Sequence, residues 1–250
     1  MCLILFSFRE DPQMPLVMAA NRDEFRERPT EPAHFWPEAP QLLAGRDRIG
    51  GGTWMGVTRA GRFAALTNYR EPEESTAGKR SRGMLVRDYL MQKVPPRQYL
   101  AEVAAEAQSY AGFNLLVGDR EQLWYYSNRQ GEIVEVQPGI HGLSNALLDT
   151  PWPKVERGKE MLSDCGGDWE QEALFQVLAD ADPAPDHTLP DTGVGLEMER
   201  GLSSIWIDLP GYGTRSSTIL TVDNKGQVGF VERTFSGEEQ EDRLYRFTVS

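Results

Sequence analysis

Cys2-Leu3-Ile4-Leu5-Phe6-Ser7-Phe8 and Pro15-Leu16-Val17-Met18-Ala19-Ala20 are two apolar, strand-like runs, and the second leads straight into Asn21-Arg22-Asp23-Glu24. The polar link between them, residues 9–14 with Pro12 inside it, makes the pair a β-hairpin. Antiparallel strands set the end of the second beside the start of the first, so Asp23 is expected near Cys2. Four polar residues directly after an apolar strand belong at a sheet end.

Downstream, Gly50-Gly51-Gly52-Thr53-Trp54 introduces a second hairpin, residues 53–58 and 62–67, around the turn Arg59-Ala60-Gly61. The prolines between Pro29 and Pro40 forbid regular helix and read as a loop holding His34, Phe35 and Trp36. Residues 71–82 are charged and loop-like. Helices are expected over 83–93 and 97–110, parted by Pro95 and Pro96, and again over 152–162 and 169–179. Strands are expected over 113–117, 122–127 and 133–136, with Gly142-Leu143-Ser144-Asn145 closing that run. After an Asp/Pro-rich loop, residues 181–195, strands are expected over 203–208, 217–222, 228–233 and 244–249. Hairpins at both ends with helix pairs between them point to an α+β fold of two mainly antiparallel sheets covered by helices. No repeat or linker interrupts the chain, so residues 1–250 read as one domain.

Apolar residues make up 40% and charged residues 26%, ordinary globular usage. Asp and Glu number 38 against 26 Lys and Arg, a net charge of −12, which argues against binding nucleic acid. Two cysteines, Cys2 and Cys165, cannot build a disulfide scaffold. His34, His141 and His187 are too scattered for a zinc cluster, and no metal site is expected. The first apolar run stops at Arg9-Glu10-Asp11-Pro12, has no basic residues ahead of it, and is far short of a membrane helix. The expectation is a soluble, cytoplasmic protein with no integral membrane segment.

Several residues carry chemistry. Removal of Met1 would leave Cys2 with a free α-amine beside its own thiol. Such groups titrate near ~7.7–8.0 and ~8.5, so the amine can act as base for the thiol. Asp23 could hold that amine; a solvated, ion-paired turn is the alternative reading. Asn68 and Asn145 end strand-like runs and suit an oxyanion as neutral donors, or serve as turn formers. Arg215, in Tyr212-Gly213-Thr214-Arg215-Ser216-Ser217-Thr218, could depress the pKa of the thiol or pair on the rim with a carboxylate.

Met1-Cys2 with Asn21-Arg22-Asp23-Glu24 resembles the signature of the NRDE-motif, or transport and Golgi organisation, family. The resemblance covers nearly the whole chain. It includes Gly51-Gly52-Thr53-Trp54-Met55-Gly56, Leu66-Thr67-Asn68-Tyr69-Arg70, Gly142-Leu143-Ser144-Asn145, Leu189-Pro190-Asp191-Thr192-Gly193-Val194 and Leu202-Ser203-Ser204-Ile205-Trp206-Ile207. That family is in turn similar to the cysteine N-terminal nucleophile (Ntn) hydrolases. The resemblance implies a four-layer αββα sandwich and a catalytic set of Cys2, Asp23, Asn68, Asn145 and Arg215. One departure concerns a second arginine three residues before the aspartate: Ala20 stands there, and Arg22 is nearer. Strand neighbours point to opposite faces, so Arg22 is expected to turn away from Cys2.

Two functions follow from the resemblance. One is hydrolysis or transfer of a linear amide or acyl group, which needs no cofactor. The other is non-catalytic handling of a small molecule in the same cleft: haem, held non-covalently, or acyl-coenzyme A or lipid. Asn21, Arg22, Glu24, Trp54, Tyr69 and Trp152 are the candidate ligand-binding residues, with Arg46 and Arg70 as further cations for propionates or phosphates. His34, His141, Cys2 or a methionine could ligate haem iron. A scaffold for a protein partner has only the Pro-rich loops in its favour.

Overall fold

Three apolar clusters divide the chain into four layers, seen in a computed structural model that describes residues 2–167, 169–237 and 239–249. In chain order the strands and helices begin with β1 (Cys2–Phe8), β2 (Leu16–Phe25), β3 (Thr30–Trp36), β4 (Ala39–Asp47), β5 (Met55–Thr58) and β6 (Phe63–Asn68). Then come α1 (Gly83–Met91), α2 (Pro96–Ala105), β7 (Phe113–Gly118), β8 (Leu123–Ser127), β9 (Ile133–Glu135) and β10 (Gly139–Leu143). The rest are α3 (Pro153–Asp164), α4 (Gln171–Leu178), α5 (Leu196–Gly201), β11 (Asp208–Leu209), β12 (Tyr212–Val222), β13 (Gln227–Ser236) and β14 (Glu239–Thr248).

One sheet has the order β10-β1-β2-β12-β13-β14, with β11 added to β12; the other runs β3-β4-β5-β6-β7-β8-β9. Every pairing is antiparallel. Side-chain alternation builds the layers. Ile4, Phe6, Met18, Leu220 and Phe230 face the second sheet and meet Leu43, Val57, Ala65 and Leu116. Leu3, Leu5, Val17 and Ala19 face outward and are covered by Val155, Leu162, Leu174 and Leu178 of α3 and α4. Leu42, Ala64, Leu115 and Val117 are covered in the same way by Leu85, Tyr89 and Leu100 of α1 and α2. The result is the expected αββα sandwich.

The opening hairpin, the hairpin at residues 53–67 and both helix pairs fall where expected, except that β2 runs on through Asn21–Glu24 to Phe25, where it is paired by β12, and α2 stops at Ala105. The Pro29–Pro40 stretch does not: it forms β3 and the start of β4. β3 is a sheet edge, and its register breaks between Glu31 and His34, so Pro32 sits where no ladder donor is required. β10, expected only as the strand end at residues 142–145, runs from Gly139 to Leu143 and is an edge of the other sheet, added to β1. The strand expected over 203–208 shrinks to β11. Ser203 and Ser204 instead donate to the Arg200 and Trp206 carbonyls at 2.7 and 2.5 Å, a local bonding that competes with a ladder. α5 was likewise not foreseen.

Candidate functional site

In the hairpin register, Cys2 pairs directly with Arg22. Directly paired residues share a face, so Arg22 turns toward Cys2, against the sequence expectation. Its side chain is 5% exposed, and its guanidinium lies 4.3 Å from the Trp54 ring centroid with Glu24 at 3.9 Å. Arg22 Nη1 is buried without a hydrogen-bond partner among the described residues. Trp54 has room because residue 45 is glycine: a Cβ there would come within 2.4 Å of the indole.

These side chains form part of a cleft of about 480 Å³. Cys2, Arg22, Glu24, Trp54, Leu66 and Asn68 line one side, and residues 79–83 line the other. The glycine turn holds that second wall close. A Cβ on Gly52 would lie 2.3 Å from the Gly83 carbonyl carbon, and Thr53 N–H donates to Gly83 O at 3.1 Å. Five cations, Arg22, Arg28, Lys79, Arg80 and Arg82, gather here on an acidic protein. Arg28 is paired with Asp47 at 2.7 Å and Arg80 with Glu106. Lys79 and Arg82 donate to the Gln108 and Gly112 carbonyls at 2.8 and 2.9 Å, with the Glu74 carboxylate acting on both charges. Burial pushes the Cys2 thiol up and the Asp23 carboxylate adds to this; Arg22 and the Asp23 backbone N–H act in the opposite direction.

Asp23 is buried beside Cys2, as expected, but its carboxylate turns to the helix-covered side, where Thr214 Oγ1 donates to it at 2.8 Å. Tyr212 donates to its carbonyl at 3.0 Å. Asn21 shares that side and is a clamp: its Nδ2 donates to Leu178 O and Ile205 O, and Ser217 donates to its Oδ1. It does not line the cleft. Asn68 does, whereas Asn145 lies behind it and donates from Nδ2 to the Asn68 carbonyl at 2.8 Å. Arg215 is not brought to the thiol. It occupies a bulge of β12 between Thr214 and Ser216, and it donates to the Phe25 and Arg28 carbonyls at 2.8 and 3.3 Å. Tyr69 and Trp152 are also outside the cleft; Trp152 stacks on Arg70, with 4.7 Å between guanidinium and centroid.

Sequence reasoning missed four polar groups. Arg82, in a charged loop, gives no signal. Lys154 falls on an expected helix and Glu199 on α5, which was not expected; neither was singled out, yet both are buried. Glu232 was legible: it shares strand parity with Val228 and Phe230, so a buried charge followed from alternation. Of the candidate iron ligands, only Cys2 opens to the cleft. His34 Nδ1 is 2.8 Å from Pro32 O, and His141 is held between Asp149 and Gln137 O. Among the described residues no cluster of His, Cys, Asp and Glu suits a metal ion, and no helix is long and apolar enough to cross a membrane.

Residues 1–237 match the family model described as Transport and Golgi organisation 2. The chain belongs to that family. It is 38% identical over 262 residues to a Transport and Golgi organization protein 2 homolog of Bos taurus, covering 96% of this chain and 95% of the relative. Its fold is that of the Ntn hydrolases. It is similar to an N-acylethanolamine-hydrolyzing acid amidase ortholog of Caenorhabditis elegans, with TM-score 0.52, 12% identity, and 88% and 92% of the two chains covered. A C2A mutant of the conjugated bile acid hydrolase from Clostridium perfringens is similar with TM-score 0.53, 8% identity, and 100% and 97% covered. At these identities the likeness concerns the fold alone.

Proposed function

We propose that this family member hydrolyses or transfers the acyl group of a linear amide or acyl compound, with Cys2 as nucleophile. The observation that carries the reading is Cys2 at the head of β1, open to the cleft and paired across the hairpin with Arg22. The reading requires that Cys2 be the first residue of the mature chain. Its α-amine takes the thiol proton, Sγ bonds to the acyl carbon, and the C–N or other acyl bond breaks as that proton passes to the leaving group. Water or another acceptor then attacks the thioester and restores the thiol. Asn68 supplies a donor for the tetrahedral oxyanion, a role whose loss typically lowers turnover about 100- to 1000-fold; Asn145 positions it. The cations at the cleft favour a substrate bearing a carboxylate or phosphate.

The same cations, with the apolar faces of Ile49, Trp54 and Leu66, favour a second reading: a carrier for an anionic amphipath such as acyl-coenzyme A or haem. Haem iron would find Cys2 as its ligand there. Intact mass, followed by incubation with acyl amides and acyl-coenzyme A, separates the two. The first reading expects a chain lacking Met1, an acyl adduct on Cys2, and turnover abolished in Cys2→Ala. Retained Met1, or equal turnover in Cys2→Ala, refutes it; binding of acyl-coenzyme A or haem without turnover then supports the carrier.

A further inference from the structure

Cys2 and Asn68 stand on different sheets: Cys2 heads β1 of one, and Asn68 ends β6 of the other. The sheets meet through apolar side chains, whose attraction is non-directional and does not by itself fix a distance between two points. Hydrogen-bonded polar groups buried in that layer do. Asn114 of β7 is fully buried and has the strand parity of Leu116, so it faces the first sheet. An amide in that position is costly unless it is bonded. Its Nδ2 donates to Thr67 Oγ1 at 3.0 Å and to Ala146 O at 2.8 Å, and Tyr125 of β8 donates to its Oδ1 at 2.8 Å. Thr67, paired with Asn114 in the ladder, donates onward to Ser144 O at 2.5 Å. The Tyr125 hydroxyl accepts the Leu148 N–H at 3.2 Å.

Three buried side chains of the second sheet thus hold residues 144–148, and that segment springs from the first sheet. β10 stops at Leu143; its Leu143 pairs with Ile4, so the segment leaves beside the head of β1. It also reaches the end of β6: Asn145 Nδ2 donates to Asn68 O at 2.8 Å, and Arg70 N–H donates to Asn145 O at 2.7 Å. We infer that Asn114 is a positioning residue for Asn68: through Thr67, Tyr125 and residues 144–148 it ties the two sheets together beside Cys2 and so sets the distance across the cleft from thiol to amide. The use of that distance in acyl transfer rests on the hydrolase reading. The tie itself does not, and it can be read without any turnover.

Hydrogen exchange of the whole chain, resolved by NMR at neutral pH, tests it. The reporters are the N–H groups of Arg70 and Leu148, which bond across the tie. The reference is the set of amides in the β1–β2 and β12–β13 ladders. Asn114→Leu fits an apolar strand but removes all three side-chain hydrogen bonds. Both reporters should then exchange about tenfold faster or more relative to the reference, because the opening is local. Unchanged reporters, or reporters that speed up only in step with the ladders, overturn the inference. Should Asn114→Leu not fold, Thr67→Val and Thr67→Ser carry the same test. The valine variant lacks the hydroxyl and must speed both reporters against the reference, whereas the serine variant keeps it and must not. Equal exchange in the two overturns the inference as well.

Discussion

Replacing Glu232 by Gln should make stability less sensitive to pH in a defined window. Glu232 is 1% exposed on β13, on the face that meets the second sheet, and its Oε1 accepts the Ala33 N–H of β3 at 2.5 Å. Burial pushes it to about 7, even though the Ala33 N–H, Arg22 and Arg243 act the other way. The gap from the ordinary value of 4.5 corresponds to roughly 3 kcal/mol. Between those two values the folded chain binds more protons at this site than the unfolded chain. Stability therefore falls as pH rises through the window, and is flat in this contribution above it. Glutamine keeps the acceptor for Ala33 and does not titrate. The stability of Glu232→Gln minus that of the natural chain should grow by about 3 kcal/mol from pH 4.5 to pH 8. Urea unfolding at half-unit pH steps measures both, and all other titrations cancel in the difference. A difference that stays constant across the window would show that Glu232 is not a buried, titrating acid.

Two further outcomes follow from the cleft. Gly52→Ala must displace the Gly83 backbone, since its Cβ would lie 2.3 Å from the carbonyl carbon; the cost should be about 1–3 kcal/mol, visible as a lower melting temperature, and an unchanged one refutes the close packing. Arg22→Leu keeps apolar cover over Trp54 but removes a cation that favours the Cys2 thiolate. In a Cys165→Ser background, alkylation of Cys2 at pH 7.5 should slow severalfold, with its midpoint moved to higher pH; an unmoved midpoint refutes the electrostatic role of Arg22.

The layers were legible because alternation and helical spacing are properties of contiguous residues: Ile4 and Phe6 against Leu3 and Leu5 announce a strand buried on both faces. The edge strand β3 was not. Pro32 is tolerated in β3 only because the next strand is absent on one side, a fact of topology that no local composition carries. The candidate site divides along the same line. That Asp23 lies near Cys2 follows from antiparallel pairing alone. Which of Arg22 and Asp23 faces the thiol depends on the register, and the withdrawal of Arg215 depends on a one-residue bulge; both are decided by packing between elements distant in sequence.

That register explains why four polar residues stand together at the end of β2. Alternation divides them into two pairs serving different surroundings. The Arg22 and Glu24 side chains line the cleft, which Asp23 also borders, while the Asn21 amide and the Asp23 carboxylate are bonded on the other face. A slip of one residue would exchange the pairs, burying a guanidinium among Leu3, Val17 and Leu178 and turning Asp23 toward the cleft. Asn21 opposes such a slip, since its amide reaches two carbonyls, Leu178 at 2.8 Å and Ile205 at 3.0 Å, while Ser217 of β12 donates to its oxygen at 2.6 Å. Hydrophobic alternation alone would leave the end of the strand weakly specified, because its last residues are all polar. The side chain that touches neither the thiol nor the cleft is therefore the one that determines which charge the thiol meets.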